Sequence, residues 1–224
     1  MIYGAVNMAV AARVPEAARR VLDLGCGNGA LGAHLKQRPG REVVGVTFSE
    51  EEAREARARL DEVVVCDLEE FDPTRLGRFD CVVCSHVLEH LTKPEELLRR
   101  LRGSLTKEGV LVVALPNALH WRQRFEFMRG RFEYADGGLM DRTHYRFYDW
   151  RTARALLADC GYAVTSGEAD GGFPLSRFVP VLGRALDRAA LRLGPGLFGV
   201  QFVMVVKTIN HGDTETRLRT QLKP

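Results

Sequence analysis

Residues 21–32 read VLDLGCGNGALG, and this short stretch determines the predicted fold. An apolar run that contains one acid, Asp23, ends in Gly25, Gly27 and Gly29. Glycine permits positive backbone φ angles and carries no side chain, so a ligand can approach the peptide backbone of such a turn. The stretch therefore predicts a buried strand, a tight turn that contacts a ligand, and the start of a helix.

Four further apolar runs follow along the chain, and they are continuous rather than alternating. They are EVVGVTF (42–48), EVVVC (62–66), FDCVVCS (79–85) and GVLVVAL (109–115). Helix-forming stretches separate them, which favours a parallel α/β sheet covered on both faces. Such a sheet binds its ligand outside the carboxyl ends of its strands, where the strand order reverses, and we expect the glycine turn to lie at that point.

Two pairs of residues are spaced as capping boxes and mark helix starts, Ser49 with Glu52 and Thr92 with Glu95. In a capping box, the first side chain accepts a hydrogen bond from the backbone of the fourth residue, whose own side chain returns to the first. We therefore expect one helix after Ser49 and a second that begins at Thr92.

The alternation of strands and helices is interrupted twice, which predicts two insertions in one domain. Residues 117–149, the lid segment, are rich in aromatic residues and arginine, and within them 121–129 have the spacing of a helix that buries its own apolar face. A second insert with an apolar helical pattern, about 171–198, lies between the strand patterns YAVTSGE and GVQFVMVVK. We expect a single domain over 1–207 and a polar tail over 208–224. The second insert is expected to cover the site or to form a dimer contact, rather than to lie on a membrane, and the chain is expected to be a monomer or a homodimer.

Composition and charge exclude several classes of function. The chain has 224 residues, a formal net charge of +3 and 46% hydrophobic residues. These values are ordinary for a globular protein and too weakly basic to indicate nucleic-acid binding. The N-terminus lacks the pattern of a signal peptide, and no uncharged stretch reaches the roughly 18 residues of a membrane-spanning helix. We therefore expect a cytoplasmic protein.

The five cysteines are odd in number and scattered, which favours a reducing compartment over a disulfide framework. Cys81 and Cys84 have the C-x-x-C spacing of redox and metal sites. They lie within a strand pattern, however, where residues three apart point to opposite faces. We interpret both as buried core residues.

The glycine spacing distinguishes among the ligands that such a turn can hold. GCGNG is G-x-G-x-G, whereas dinucleotide sites use G-x-G-x-x-G and phosphate-binding P-loops end in Gly-Lys-Ser/Thr. VLDLGCGNGALG closely resembles the first motif of class I S-adenosylmethionine-dependent methyltransferases. VVVCDLEEF and the stretch from FDCVVCSHVLEHL to VLVVALPN resemble later motifs of that family, in the same order.

The resemblance implies an α/β, Rossmann-like, doubly wound seven-stranded sheet with an antiparallel last strand. It places the lid insertion after strand five and the helical insertion between strands six and seven. It also implies S-adenosyl-L-methionine as cofactor and S-adenosyl-L-homocysteine as product. The implied cofactor-binding positions are Asp23 at the amino-acid end, Gly25, Cys26, Gly27 and Gly29 beneath the methionine part, Phe48 and Leu68 on the adenine faces, Asp67 on the adenine amine, and Cys84 and Ser85 near the sulfonium.

One position departs from the family pattern. The family most often has Asp or Glu at the end of the second strand, where the acid accepts hydrogen bonds from both ribose hydroxyls, and here the residue is Thr47. A hydroxyl makes one such bond and lacks the charge assistance of a carboxylate. We interpret Thr47 as a weaker ribose contact and Glu50 or Glu51 as candidates for the missing acceptor.

The lid segment carries the candidate residues for a methyl acceptor. Its stretch LMDRTHYRFYD resembles bacterial methyltransferases that are linked to polysaccharide and glycoconjugate assembly and have a DRTH-x-RF segment. His144 is the candidate general base or acceptor ligand, because a neutral imidazole titrates in the range that proton removal requires. Asp141 and Arg142 are predicted to pair and fix the lid. Trp121, Arg142 and Tyr145 are candidate acceptor contacts.

SHVLEHL places His86, Glu89 and His90 on one predicted helical turn, facing the same way. Ubiquinone-pathway O-methyltransferases, which look similar here, bind a metal through Glu, Glu and His. Because His86 replaces the first glutamate, we assign no metal ligand. We expect His86 to contact the acceptor as a second catalytic candidate, and Glu89 and His90 to have a hydrogen-bonded structural role. Tyr3 and Asn7 are expected to fold over the cofactor carboxylate.

The sequence therefore predicts an S-adenosylmethionine-dependent methyltransferase that acts on an oxygen or nitrogen of a small molecule, such as a sugar or glycoconjugate. One alternative is a non-catalytic module that binds S-adenosylmethionine and assists or regulates a partner, and the absent acid at Thr47 motivates it. Another is a nicotinamide-dependent dehydrogenase with the same sheet. Nucleic-acid acceptors are disfavoured, because the chain carries no basic stripe.

Overall fold

The computed structural model describes residues 6–172 and 180–209, and a seven-stranded sheet lies at its centre. The strands are β1 (Arg20–Leu24), β2 (Glu42–Thr47), β3 (Glu62–Val65), β4 (Phe79–Ser85), β5 (Leu105–Pro116), β6 (Tyr162–Gly171) and β7 (Gly199–Thr208). Their order is β3-β2-β1-β4-β5-β7-β6. β1 to β5 run parallel, whereas β7 is antiparallel to both of its neighbours. This arrangement confirms the predicted Rossmann-like sheet with an antiparallel last strand.

Helices cover both faces of the sheet. They are α1 (Met8–Ala11), α2 (Ala30–Leu35), α3 (Glu50–Arg57), α4 (Pro94–Leu101), α5 (Trp121–Met128), α6 (Trp150–Asp159), α7 (Pro180–Leu193) and α8 (Pro195–Phe198). Leu97 of α4 and Leu157 of α6 belong to one buried cluster, and Val10 of α1 and Leu35 of α2 belong to the other. Strands that are apolar along their whole length need this cover on both faces, because either face would otherwise meet water.

The two cysteines of the C-x-x-C spacing lie on opposite faces of β4, as predicted. Both are fully buried. Cys84 belongs to the cluster that contains Leu22, whereas Cys81 belongs to the cluster that contains Val21. Burial raises the pKa of both thiols, which keeps them protonated and unreactive. The core interpretation of this pair is therefore confirmed.

The two predicted capping boxes have different outcomes. Ser49 caps α3 by accepting from the backbone nitrogen of Glu52 at 3.3 Å, so this helix start is confirmed. The second box is wrong, because both the backbone nitrogen and the hydroxyl of Thr92 donate to Oε1 of Glu69, at 2.6 and 2.8 Å. α4 begins instead at Pro94, whose fixed φ suits the first helical position.

The strand order reverses between β1 and β4, and the lid segment lies over this edge of the sheet. Asn117 pairs with Tyr148 in an isolated parallel bridge, so the two ends of the lid segment meet. The backbone nitrogens of Tyr145 and Arg146 donate to the carbonyl oxygen of Glu89, at 2.9 and 3.1 Å. These contacts attach the lid segment to the connection that follows β4.

The inserts are helical only in part. α5 confirms the helical spacing in the lid segment, but none of the residues Trp121–Met128 is buried, and Phe125 and Met128 are 48% and 79% exposed. The expectation that this helix buries its own apolar face is therefore wrong. α7 and α8 lie in the second insert, while residues 173–179 and 210–224 lie outside the described residues, so the domain limits and the polar tail stay predictions. Within the described ranges, no helix is both long and apolar enough to cross a bilayer.

Candidate functional site

The turn after β1 brings backbone close to the segment that follows β4. Gly25, Gly27 and Gly29 all have positive φ, at 69°, 52° and 80°. A Cβ atom at Gly25 would lie 2.6 Å from Cγ2 of Val87, which is well inside van der Waals contact. A side chain there would both strain the backbone and push against this neighbour. The tight turn predicted from the glycines is confirmed.

A cavity of about 360 Å³, the central cavity, opens at the carboxyl ends of β1, β4 and β5. Its lining comes from the glycine turn, the segment after β4, the end of β5 and the lid segment. Of the predicted site residues, it is lined by Asp23, Gly25, Cys26, Gly27, Ser85, His86 and His144. The structure thus brings the predicted methionine end of the cofactor site and both candidate catalytic histidines to one cavity.

Asp23 places a carboxyl group at the base of the central cavity. The residue is 2% exposed, and its Oδ2 has no hydrogen-bond partner among the described residues. Burial raises the pKa of Asp23 from an ordinary 3.8 to about 7. A buried carboxyl group with an unused oxygen fits a cationic ligand group such as a protonated amine, because the cation would compensate the buried charge.

His86 is held at both ring nitrogens. Its Nδ1 lies 3.2 Å from Oε1 of Glu89, and its Nε2 lies 2.8 Å from Oε1 of Gln201. Its φ of 56° is unusual for a residue other than glycine. Burial opposes protonation of the ring, but the hydrogen bond and charge of Glu89 outweigh it, so the pKa of His86 is raised. Both partners are acceptor oxygens, so they favour the doubly protonated ring, which has no lone pair left to take a proton from an acceptor. The catalytic role of His86 stays a prediction.

Asn7 and Gln201 complete this hydrogen-bond network. Nδ2 of Asn7 donates to Oε1 of Gln201 at 2.9 Å and to Oγ of Ser85 at 3.3 Å, and Nε2 of Gln201 donates to Oδ2 of Asp170 at 2.7 Å. Asn7 also lines the central cavity, and its contact with the cofactor carboxylate stays a prediction, whereas Tyr3 lies outside the described residues. Sequence reasoning missed Gln201, although a glutamine within the apolar GVQFVMVV was a signal, because an amide in such a strand needs polar partners.

His144 reaches the central cavity from the lid segment. It is 9% exposed, and its Nδ1 lies 3.3 Å from the carbonyl oxygen of Leu139. Its ring packs edge-on against that of His90, with 4.7 Å between the ring centroids. Burial lowers the pKa of His144, which favours the neutral ring. A neutral imidazole in a cavity wall can accept a proton or bind an ion through its second nitrogen.

The predicted pair between Asp141 and Arg142 is wrong. Asp141 is 2% exposed and accepts from the backbone nitrogen and hydroxyl of Thr143, at 2.8 and 2.7 Å. Arg142 lies at the surface, where its Nε is 2.8 Å from Oδ1 of Asp136. The backbone nitrogen of His144 also donates to the carbonyl oxygen of Asp141 at 3.0 Å. The buried acid therefore shapes the turn that carries His144, and it does so without the arginine.

The single helical turn predicted for His86, Glu89 and His90 is also wrong. A short 3₁₀-helix covers Leu88–His90, and His86 precedes it with a positive φ. As a result, the two histidines have different partners. His86 contacts Glu89, whereas Nδ1 of His90 lies 3.0 Å from Oγ1 and 3.2 Å from the carbonyl oxygen of Thr143.

At the end of β2, a carboxylate accompanies the threonine. Thr47 is 2% exposed, and its hydroxyl donates to Oε2 of Glu52 at 2.7 Å. Neither residue suggested from the sequence holds this place: Glu50 pairs with Arg57, at 2.6 Å, and Glu51 is exposed. Sequence reasoning missed Glu52 because its spacing indicated a return to the helix cap. Thr47 and Glu52 together supply the carboxylate that the threonine alone lacks.

The other predicted adenosine contacts lie outside the lining of the central cavity. Phe48 is 78% exposed, and Asp67 is exposed, with its Oδ1 accepting from the backbone nitrogen of Glu69 at 2.9 Å. Leu68 is half-buried, and Cys84 is fully buried in the core. Their cofactor contacts stay predictions.

A second cavity of about 520 Å³, the lid cavity, lies beside the central cavity. It is lined by lid residues between His120 and Met140, and it shares Leu139 and Val200 with the central cavity. The predicted acceptor contacts lie beside these cavities rather than in their lining. Trp121 is half-buried and begins α5, Arg142 pairs at the surface as described, and Tyr145 is 67% exposed.

Comparison with known proteins identifies the family. The sequence pattern of the methyltransferase-domain family matches residues 6–166. A malonyl-[acyl-carrier protein] O-methyltransferase from Geobacter sulfurreducens is 32% identical over 149 residues, which are 64% of this chain and 55% of that protein. A ubiquinone biosynthesis O-methyltransferase from Xanthomonas axonopodis pv. citri is 32% identical over 114 residues, 48% of this chain and 47% of that protein. A solved SAM-dependent methyltransferase from Archaeoglobus fulgidus has the same fold, with a TM-score of 0.61 at 23% identity over 86% of this chain and 87% of that one.

The chain belongs to the methyltransferase-domain family, because the match covers well over half of it. It is a methyltransferase domain, and its fold is that of the solved SAM-dependent methyltransferase described above. The chain spans about half the length of the curated relatives it matches. Membership of the subgroup with a DRTH-x-RF lid stays a prediction.

Proposed function

We propose that the chain transfers the methyl group of S-adenosylmethionine to an oxygen or nitrogen of a small molecule that enters the central cavity. The observation that carries the proposal is the position of Asp23, a buried carboxyl group with an unpaired oxygen. It lies beside the glycine-rich turn after β1, and His144 lines the same cavity. The cavity therefore combines a site for a cationic ligand, at Asp23, with a group that can act on an acceptor, His144.

Residues of the central cavity and of the end of β2 fit the parts of S-adenosylmethionine. Asp23 would accept from its ammonium group, and Gly25 and Gly27 would let its methionine part lie against the backbone. Glu52, held by the hydroxyl of Thr47, would accept from the ribose hydroxyls in place of the usual acid. When bound, the cofactor supplies a methyl group that its sulfonium already activates. The contribution of the chain is therefore mainly positioning of the acceptor and control of its proton.

His144 is the residue that we assign to the acceptor. Its ring is mostly buried, Nδ1 faces a carbonyl oxygen, and the second nitrogen is left for the cavity. An acceptor hydroxyl must lose its proton as it reacts, and a neutral imidazole can take that proton or help to hold the deprotonated oxygen. His86 is placed less favourably for proton transfer because both of its nitrogens are engaged. We assign it to positioning.

An acceptor with several hydroxyl groups, such as a sugar or glycoconjugate, is the finer form of the proposal. The lid cavity supports it, because Gln123, Glu126, Arg131 and Glu133 line that cavity together with the ring of Tyr134. Amide, carboxylate and guanidinium groups bind hydroxyls, and an aromatic ring can pack against a sugar face. Both curated relatives described above are named O-methyltransferases, which favours oxygen over nitrogen as the acceptor atom.

Two measurements test the proposal. Calorimetric titration with S-adenosylhomocysteine should give saturable one-to-one binding, and a screen of labelled methyl transfer should identify acceptors among sugars, nucleotide sugars, lipid-linked sugars, phenols and carboxylic acids. Incorporation into a phenol or a carboxylic acid alone would contradict the sugar proposal and leave the methyltransferase proposal intact. Tight binding of NADH with no binding of S-adenosylhomocysteine would contradict both.

The alternative function is a cofactor-binding module without turnover. The absence of an acidic residue at Thr47 favoured it, but the contact between Thr47 and Glu52 restores a carboxylate to this place. A module of this kind would bind S-adenosylhomocysteine, methylate none of the acceptors and lose nothing when His144 is replaced. The catalytic proposal requires the opposite result for His144.

A further inference from the structure

Glu89, His90 and His144 form a cluster that the proposed cofactor site does not use. One possible ligand atom from each residue lies within 4.8 Å of the other two. Ligand atoms that each lie about 2.1 Å from one ion are about 3 to 4 Å apart, so small side-chain rotations would bring all three into range. We infer that the Glu89–His90–His144 cluster binds a divalent transition-metal ion, and that an oxygen of the methyl acceptor completes the coordination.

Glu89 provides the first independent observation. Its side chain is fully buried, its Oε1 contacts His86, and its Oε2 has no hydrogen-bond partner in the described part of the chain. A buried carboxylate oxygen without a partner costs free energy, on the order of 1 to 3 kcal/mol or more for a charged group. A cation bound at Oε2 would remove this cost, whereas the side chains around it do not.

The two imidazole rings provide the second observation. Nδ1 of His90 faces the hydroxyl and carbonyl oxygens of Thr143, and Nδ1 of His144 faces the carbonyl oxygen of Leu139. A ring that donates from Nδ1 carries its lone pair on Nε2, which is the arrangement that metal-binding histidines adopt. Asp141 in turn accepts from the hydroxyl of Thr143, so the hydroxyl oxygen is free to accept a hydrogen bond from Nδ1 of His90. Both rings are therefore fixed in the tautomer that a metal ion needs.

The ligand set indicates the kind of ion and the kind of site. Two imidazoles and one carboxylate suit Zn²⁺, Co²⁺, Mn²⁺ or Fe²⁺ better than Mg²⁺ or Ca²⁺, which prefer sites made of oxygen atoms alone. Three protein ligands leave at least one position open, which is typical of catalytic rather than structural sites. All three residues line the central cavity, so the open position faces the space that the acceptor is proposed to enter. His144 comes from the lid segment and the other two from the connection after β4, so the ion would also join the lid to the sheet.

The role of the ion rests on the proposed function. An ion that binds the hydroxyl oxygen of the acceptor withdraws electron density from it and lowers the pKa of that hydroxyl, as it does for bound water. The O–H bond then breaks, the electron pair stays on oxygen, and the proton leaves to solvent through the cavity opening. In this arrangement His144 acts as a ligand and not as the general base. This inference revises the expectation of no metal ligand. The lid segment brings His144 to Glu89 and His90, and the sequence SHVLEHL alone gives no sign of that third ligand.

The test uses the 224-residue chain without an affinity tag, dialysed against a chelator and titrated with Co²⁺, with Zn²⁺ and with Mg²⁺. We expect one ion per chain and a visible Co²⁺ absorption band that shifts when an acceptor hydroxyl binds. Glu89→Gln and His144→Asn should each weaken binding of the ion at least about 100-fold, since loss of an outer-shell partner alone costs 10- to 100-fold. His34→Asn is the matched control, because this half-buried histidine lies on α2, away from the cluster, and it should bind the ion as the unmodified chain does.

Titration of the same samples with S-adenosylhomocysteine separates the two proposals. Both cluster variants should retain its binding, which also shows that they are folded. If the unmodified chain binds S-adenosylhomocysteine but no ion, or binds only Mg²⁺, the metal inference is wrong and the proposed function stands. It is equally wrong if Glu89→Gln and His144→Asn bind Co²⁺ and Zn²⁺ as tightly as the unmodified chain does. If the ion binds and S-adenosylhomocysteine does not, the proposed function fails instead.

Discussion

The central cavity has two walls that are built in different ways. The backbone wall is the turn after β1, where Gly25 and Gly27 leave main chain exposed above Asp23. The side-chain wall consists of Glu89, from the connection after β4, and His144, from the lid segment. The shape of the first wall depends on φ angles that glycine alone adopts without strain. The second depends on polar contacts between segments that are more than fifty residues apart, such as the contact between His90 and Thr143.

This difference predicts different responses to substitution. A change in the backbone wall should alter its shape, and therefore affect both folding and cofactor affinity. A change in the side-chain wall should leave the sheet and the cofactor site intact and affect the acceptor chemistry. Stability, affinity for S-adenosylhomocysteine and turnover can be measured separately, so each response can be assigned to one wall.

Gly25→Val should have the largest effect. The new Cβ would meet Cγ2 of Val87 at 2.6 Å, and a β-branched residue would have to adopt a φ of 69°. Overpacking and the left-handed conformation together should cost about 3 kcal/mol or more. We expect affinity for S-adenosylhomocysteine, measured by calorimetry, to fall at least about 100-fold.

Gly130→Ala is the control for this substitution. Gly130 also has a positive φ, 73°, but nothing lies within 4 Å of the position of its Cβ. The change should cost only the conformational strain, about 1 kcal/mol in urea unfolding, and leave affinity unchanged. If Gly25→Val binds S-adenosylhomocysteine as well as Gly130→Ala does, the backbone wall is not the cofactor site.

His144→Asn should have the next largest effect, on turnover rather than on stability or cofactor affinity. Loss of the imidazole should lower kcat about 100-fold, because the acceptor proton is no longer removed or its oxygen no longer held. We expect the Kd for S-adenosylhomocysteine and the Tm to stay close to those of the unmodified chain. His34→Asn should change neither rate nor affinity. An unchanged kcat in His144→Asn would show that His144 takes no part in the acceptor chemistry.

The backbone wall could be predicted from the sequence because its cause is local. Three glycines within VLDLGCGNGALG require a turn with positive φ angles wherever they occur, and the apolar run before them requires a buried strand. The strands themselves were predicted from the same kind of evidence, since each strand pattern is contained in fewer than ten residues. Their arrangement in a seven-stranded sheet was implied by the family resemblance. Ser49 caps α3 for the same reason, as its partner is three residues away.

The side-chain wall could not be predicted because its partners are distant in sequence. Thr92 was expected to cap a helix, but its hydroxyl donates to Glu69, 23 positions earlier, instead. Asp141 was expected to pair with the adjacent arginine. It is buried instead and accepts from the hydroxyl of Thr143, in the turn that carries His144. Competition of this kind is decided by which groups the fold brings together, and the pattern along the chain does not contain that information.

Asp23→Asn should change how both stability and cofactor affinity depend on pH. Between 3.8 and about 7 on the pH scale, the folded state keeps a proton on Asp23 that the unfolded state has released. Stability of the ligand-free chain should therefore fall as pH rises through this window and stay level above it. Asp23→Asn removes this dependence, and we expect the variant to be more stable than the unmodified chain at pH 8, by up to about 4 kcal/mol in urea unfolding.

The affinity of the same variant should change in the opposite direction. A cationic ammonium group favours the ionised carboxyl, so affinity of the unmodified chain for S-adenosylhomocysteine should rise between about pH 6 and 8. Asp23→Asn should bind about 10-fold more weakly at pH 8 and show a flat profile. A variant that is stabilised but binds as tightly as the unmodified chain would place the ammonium group elsewhere.

Thr47→Val should have the smallest effect, because it removes one hydrogen bond beside the backbone wall. The hydroxyl of Thr47 donates to Glu52 at 2.7 Å, and its loss should cost about 1 kcal/mol of stability. Thr165→Val is the control, since its hydroxyl donates to the carbonyl oxygen of Val205 on another part of the sheet.

Glu52→Gln tests whether the carboxylate accepts from the ribose. If it does, Glu52→Gln should weaken the binding of S-adenosylhomocysteine more than Thr47→Val does. The double variant should then be little worse than Glu52→Gln, because the threonine acts through the carboxylate. Strictly additive losses would show that Thr47 contacts the ribose on its own.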